Sequence, residues 1–172
     1  DTAVTQSLAD AYYDIRAGLS FNKTPDVYGA FPTDPYSHTP WGSGARQPGM
    51  TGQVKEEILT RWGELGVSLR NGQLCFAPTL LRPDEFLTTP DSFAYVDVTG
   101  QNQSLPLPAG SLAFTFCQTP IVYTLGDEGQ IEVVDRNGRS HISQSSKLDT
   151  QTTQHIINRD GQIKLVRVGV KI

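Results

Sequence analysis

The sequence predicts a mainly β protein, and three observations carry the prediction. From residue 67 onward apolar residues recur with a period of two in short runs: VSLR, QLCF, FAYVDV, SLAFTF, IVYTL, QIEVVD, RSHI, QHII and IKLVRV. Turn residues divide these runs, and Asn71-Gly72, Asn137-Gly138 and Asp160-Gly161 are dipeptides that favour type I′ hairpin turns. No helical period interrupts the series, so the expected architecture of residues 67–172 is an all-β sandwich or barrel. Residues 1–66 read as two helices separated by a long loop.

The first helix is expected over residues 2–16, where Val4, Leu8, Ala11, Tyr12 and Ile15 fall at helical spacing and Gly18 follows as a stop. Its apolar stripe has no evident partner. An amphipathic pattern that starts at once from Asp1 also suggests a piece of a longer chain. Between Ser20 and Met50 the periodicity disappears, and Pro25, Pro32, Pro35, Pro40 and Pro48 alternate with Gly29, Gly42, Gly44 and Gly49. A structureless stretch of about 30 residues is uncommon in a compact domain and is usually functional or disordered. Phe21, Tyr28, Phe31, Tyr36 and Trp41 argue for an ordered surface, because disordered segments are poor in aromatics.

TGQVKEEILTRWGELG then restores the helical period, with Val54, Ile58, Trp62 and Leu65 as one stripe, Thr51 as a capping residue and Gly66 as the stop. In the β region, FAYVDV and FTFCQTPIVY are nearly continuous apolar runs, which suits strands covered on both sides. Phe114, Phe116 and Tyr123 keep core parity, although an exposed row of them could form a carbohydrate platform. Cys75 and Cys117 sit within apolar runs and are expected to pack as small hydrophobes. Two cysteines without a secretory signal make no disulfide framework, so a reducing, cytoplasmic location is expected.

Charge narrows the partners. A formal net charge of -4, with both signs scattered along 172 residues, offers no field for nucleic acid or anionic lipid. No run reaches the roughly 18 apolar residues that a membrane span needs. Neither nucleic acid nor membrane is therefore an expected partner.

Chemistry is most plausible at the start of the second helix. Free backbone N–H groups and the positive end of the helix dipole at Met50-Thr51-Gly52 make an anion site, and Gly49 and Gly52 allow close approach to the backbone. His38, Arg46, Gln47 and Lys55 are the cations and donors that could converge there, with Gln53 beside them. The competing reading is an ordinary capped helix after a glycine-lined turn. His141 and His155, in strand-like segments, are expected to face solvent. Glu56 and Glu57 suit the first turn of the helix, where carboxylates pair with the dipole. Asp26 and Asp34 are the only loop carboxylates that could oppose them in a glycosidase pair. No nucleophile elbow, full phosphate-loop motif or metal-ligand spacing occurs.

Two linked segments, NKTPDVYGAFPTDPYSHTP (22–40) and ARQPGMTGQVKEEILTRWGELGV (45–67), carry a family resemblance. They resemble the end of the catalytic domain in inverting sugar phosphorylases of glycoside hydrolase family 94, the cellobiose and chitobiose phosphorylase group, and most of all its 1,2-β-oligoglucan phosphorylase branch. The resemblance implies that residues 1–66 end an (α/α)6 barrel, the six-hairpin glycosidase architecture, and that residues 67–172 form a jelly-roll-like β-sandwich. Tyr36-Ser37-His38 and Met50-Thr51-Gly52 look like the family's phosphate motifs, so the resemblance implies phosphate ligation by His38, Thr51 and Gly52. Arg46, Gln47, Gln53 and Lys55 are left as possible substrate contacts. Met50 stands where the family usually has an aromatic, and the stretch between the two motifs is shorter. The family's general acid, an aspartate on an upstream barrel segment, has no counterpart here. The implied function is thus a contribution to phosphorolysis of β-linked glucooligosaccharides, with no catalytic residue in this chain, which alone should be inert. Inorganic phosphate is the co-substrate, no organic cofactor or metal is needed, and the implied partners are an oligosaccharide and the remainder of the parent enzyme. A hydrolase or transglycosylase of the same architecture, or a carbohydrate-binding or structural sandwich, are the rival readings.

Overall fold

The structure, a computed structural model, describes residues 2–18, 51–126 and 129–172. Within the two N-terminal helices it describes the side chains of residues 3–14 and of residue 58 onward. The long loop, with its prolines, glycines and aromatics, lies outside the described residues. Two compact units are present, residues 1–60 and 61–172.

In the first unit, helix α1 spans Thr2–Gly18 and ends at the glycine expected to stop it. Val4 and Leu8 of its apolar stripe are exposed. Gln6 Nε2 donates to Asp10 Oδ1 at 3.0 Å, and the rings of Tyr12 and Tyr13 meet edge to face. Helix α2 spans Thr51–Glu64, so its first helical residues are Thr51 and Gly52.

The second unit takes in the last turn of α2 and is mainly β. Its strands are β1 (Val67–Arg70), β2 (Gln73–Phe76), β3 (Asp91–Val96), β4 (Asn102–Leu107), β5 (Ser111–Phe116), β6 (Thr119–Leu125), β7 (Gln130–Asp135), β8 (Ser140–Gln144) and β9 (Ile163–Val170). A five-stranded sheet, in the order β5-β6-β9-β7-β8, is the centre, while β1-β2 and β3-β4 form separate hairpins. Strands β6 and β9 run parallel, and the other pairings are antiparallel. Alternation decides which hairpin covers which face. Leu112, Ile121, Tyr123, Ile131, Val166, Val168 and Val170 point to one face and pack with Leu74 and Phe76 of the first hairpin. On the other face Val122 and Leu165 meet Phe93, Leu105 and Leu107 of the second hairpin. The domain is therefore sandwich-like, with the sheet between two smaller layers.

One run expected as strand is a helix. QHII belongs to α3, Thr150–Asn158, so the domain is not all β. Asp149 caps α3: its Oδ1 accepts from Thr152 N at 2.8 Å, and its Oδ2 accepts from Thr152 Oγ1 at 2.6 Å. Thr153 and Ile156, three residues apart, are buried, so the period is helical although the residues are β-branched. Asp160-Gly161 consequently joins α3 to β9 and is not a hairpin turn. His155 also lies on α3, where Nδ1 pairs with Asp160 Oδ2 at 2.7 Å, whereas His141 is exposed on β8 as expected. FAYVDV differs as well. Its strand β3 alternates between exposed and half-buried positions instead of being covered on both sides.

A hairpin turn forms at two of the three predicted dipeptides, but only Asn71-Gly72 is type I′, because Asn137 does not take the positive φ that type needs. Asn71 and Gly72 both take positive φ, 51° and 75°, as a type I′ turn between β1 and β2 requires. The β7-β8 turn is Asp135-Arg-Asn-Gly-Arg139, with Asp135 Oδ1 accepting from Asn137 N at 2.8 Å and Arg139 N at 2.9 Å, and Gly138 at φ 78°. The β3-β4 turn, Asp97-Val-Thr-Gly-Gln101, repeats this wiring with Thr99 N at 2.8 Å and Gln101 N at 3.1 Å from Asp97 Oδ1. Its glycine, Gly100, stands at φ 80°.

The β5-β6 turn departs from pattern. Cys117 and Gln118, neither a usual turn former, sit at φ 48° and 64° between two strands. Cys117 is half-buried against the core rather than within a strand, and both cysteines are free thiols.

Candidate functional site

Of the residues expected to bind phosphate, His38 lies outside the described residues, as do Arg46 and Gln47 among the expected substrate contacts. Thr51, Gly52, Gln53 and Lys55 are described as backbone in the first two turns of α2. That places the N–H groups of a helix N-terminus at the expected position.

The opposite end of α2 is described to the level of side chains, and it borders a cleft. Leu65 N still donates to Arg61 O at 2.9 Å, and Gly66 then turns the chain with φ 65°. Gly66 is also wedged against backbone. A Cβ there would lie 2.0 Å from Ala77 O and 2.4 Å from Pro78 N, so only glycine fits. The orphan carbonyl of Leu65 accepts from Tyr123 Oη at 2.6 Å, a bond wholly inside the core. Burial pushes the Tyr123 hydroxyl above the usual tyrosine range, so it stays a donor. Among the described side chains of the stripe foreseen for α2, Leu65 is in the core and Ile58 is exposed. Trp62 meets Phe116 and Phe114 edge to face, with ring centroids 5.1 and 6.3 Å apart. Phe114, Phe116 and Tyr123 therefore pack inward and do not form an exposed platform.

Arg61 holds the wall of the cleft. Its Nη1 lies 2.9 Å from Glu64 Oε2 and 2.6 Å from Glu85 Oε2. Burial opposes the guanidinium charge, but the hydrogen bonds to Glu64 and Glu85 outweigh it and raise its pKa. Glu64 is 1% exposed, so the ion pair keeps a buried carboxylate neutralised. Glu85 closes a single 3-10 turn, Pro83–Glu85, in which its Oε1 accepts from Arg82 N at 3.0 Å.

The cleft itself has a volume of about 510 Å³. Arg61, Glu85, Asp91, Ser92 and Ser111 supply its polar lining, with Phe93 and Leu107 among the apolar residues. Ser111, at the start of edge strand β5, is 0% exposed, and its Oγ has no hydrogen-bond partner among the described residues. Its backbone carbonyl is satisfied by Leu87 N at 2.9 Å. Asp91 accepts from Ser92 N at 2.7 Å and remains exposed. On β3 the rings of Phe93 and Tyr95 stand 5.7 Å apart and within 11° of parallel. None of these residues was singled out from sequence, because the cleft is assembled from five separate segments with no local motif.

Among the described residues no three His, Cys, Asp or Glu side chains gather to hold a metal, and no helix is long and apolar enough to cross a membrane. Compared with protein-family models and with curated proteins, the chain matches none.

Proposed function

We propose that the chain is the C-terminal part of a carbohydrate-active enzyme, an inverting phosphorylase of β-linked glucooligosaccharides, to which it contributes phosphate ligands. The supporting observation is that α2 begins at Thr51-Gly52, so the helix end that the resemblance assigns to phosphate is a real helix N-terminus following the segment that contains His38. In this reading phosphate attacks the anomeric carbon while an acid elsewhere in the enzyme protonates the leaving oxygen, and the configuration inverts. His38, Thr51 and the backbone at Gly52 hold and orient the nucleophile, a positioning and electrostatic role with no covalent step.

Calorimetric titration of inorganic phosphate into the enzyme that carries these residues, with and without a β-1,2-linked glucooligosaccharide, tests the proposal. Saturable phosphate binding, weakened by His38→Ala or Thr51→Ala far more than sugar binding is, is the expected result. Sugar binding without phosphate binding would point to a hydrolase or transglycosylase of the same architecture.

A further inference from the structure

Strand β8 is one edge of the five-stranded sheet, and the hydrogen-bond ladder fixes which of its backbone groups face outward. Asp135 N donates to Arg139 O at 3.0 Å and Ser145 N to Gly129 O at 2.6 Å, one bond at each end of the β7-β8 pair. Between them the register sets Val133 against His141 and Ile131 against Ser143 with no bulge. Antiparallel bonds recur at every second residue, so His141 and Ser143 bond to β7, while the N–H and C=O groups of Ser140, Ile142 and Gln144 point away from it. These outward groups have no backbone partner among the described residues. The opposite edge differs: at the start of β5, Leu87 N donates to Ser111 O at 2.9 Å and Gly110 N to Leu87 O at 2.7 Å. Proteins usually blunt an open edge with lysine, proline or a bulge. Strand β8, Ser-His-Ile-Ser-Gln, has none of these, and Ile142 at its centre is 56% exposed.

We propose that β8 pairs antiparallel with β8 of a second copy of this chain, about a two-fold axis at Ile142, joining two five-stranded sheets into one. Self-complementarity selects this partner, because an isologous contact must match a strand with its own reverse. Reversed about Ile142, Ser140 meets the partner's Gln144, His141 meets the partner's Ser143, and Ile142 meets its own counterpart. Polar residues thus face polar ones, and the two exposed isoleucines cover each other. The same axis sets every outward residue of β8 against another outward residue, so each of those pairs exchanges both of its N–H···O bonds. An axis at either neighbouring residue would leave Ser140 or Gln144 beyond the end of the partner's strand. Charge raises no obstacle, since β8 has no Lys, Arg, Asp or Glu and the flanking Arg139 would face the partner's Ser145.

Sedimentation equilibrium and amide hydrogen exchange of the 172-residue chain test the proposal. Both are run at concentrations up to about 1 mM, because a contact between two short strands makes a weak interface. The expected result is a monomer–dimer equilibrium in which exchange at the Ser140, Ile142 and Gln144 amides slows as concentration rises. The His141 and Ser143 amides, bonded to β7, should be protected at every concentration. Ile142→Lys, an exposed position where two like charges would meet across the axis, should weaken the dimer at least about tenfold. Leu125→Lys, at an exposed position on β6 away from this edge, should leave it unchanged. A chain that stays monomeric throughout, or a dimer that Ile142→Lys leaves intact, overturns the proposal. Equal protection of all five amides at every concentration would also overturn it, because another part of the same chain would then cover the edge.

Discussion

Replacing Gly66 by alanine separates two effects that usually travel together, backbone strain and steric collision. Gly66 has φ 65°, and a left-handed conformation costs a residue with a Cβ about 1–2 kcal/mol. The new Cβ would also lie 2.0 Å from Ala77 O, 2.1 Å from Ala77 C and 2.4 Å from Pro78 N, all backbone, so no side chain can rotate away. Residues 77 and 78 must shift, which breaks the 2.9 Å bond from Ala77 N to Gly66 O and removes about another 1 kcal/mol. With the attendant repacking, the expected loss is about 3–5 kcal/mol, a large share of the roughly 5–15 kcal/mol typical of a domain. Gly100 supplies the control: it stands at φ 80° with nothing within 4 Å of a built Cβ, so Gly100→Ala should lose only about 1–2 kcal/mol. Urea unfolding of both variants, followed by circular dichroism, measures the difference. If the two losses agree within about 0.5 kcal/mol, the close approach of residues 77–78 is not what holds glycine at position 66.

Other outcomes follow from single bonds. Tyr123→Phe keeps the ring but leaves Leu65 O unpaired in the core, and chemical denaturation should show a loss of about 1–3 kcal/mol. Thr153→Val likewise strands the Leu74 N–H that Thr153 Oγ1 accepts at 3.0 Å, with a similar loss expected and faster hydrogen exchange at Leu74. Hydrogen bonds from Thr99, Gln101 and Gln103 hold Asp97 well below the usual carboxylate range, at about 2, against a slight opposing effect of burial. Its contribution is therefore fully present above pH 3.8 and is lost as pH falls through about 2. An Asp97→Asn variant should lack this part of the acid transition, as followed by the Thr99 and Gln101 amide signals.

How far the fold could be read from the sequence depends on where its periodicity comes from. Strands β5, β6, β7 and β9 were legible as short apolar, β-branched and aromatic runs bounded by turns, most continuous at β6, because the sheet is packed on both faces. Strand β4 was invisible: NQSLPL is mostly polar, and Pro106, opposite Ser92, reads as a breaker. It survives because a two-stranded hairpin leaves one side of each strand free of ladder bonds. Helix α3 was misread because threonine and isoleucine favour strands, while the helical signal lay in its cap, Asp149 with Thr152. The β5-β6 turn was hidden by its residues, since Cys117 and Gln118 reach positive φ under tertiary constraint, with Gln118 Nε2 donating to Asp97 O at 3.0 Å. At the candidate sites, the start of α2 was legible from local residues. The cleft was not, because Arg61, Asp91 and Ser111 meet only through the fold.

The position of β9 sets a timetable for assembly. It follows every other strand of the described residues in sequence, yet it lies between β6 and β7 in the sheet. Until it is in place, β5-β6 and β7-β8 are two hairpins with no strand between them, each carrying an open edge and half of the future core. Closing the sheet then requires pairing Val166 with Ile121, a contact across a long loop, which is a slow step for any chain. During that interval the apolar faces of two half-sheets are exposed, so the unfinished protein is the form most prone to aggregate. Expression at lower temperature or beside a chaperone should raise the soluble yield more than any change to the finished surface.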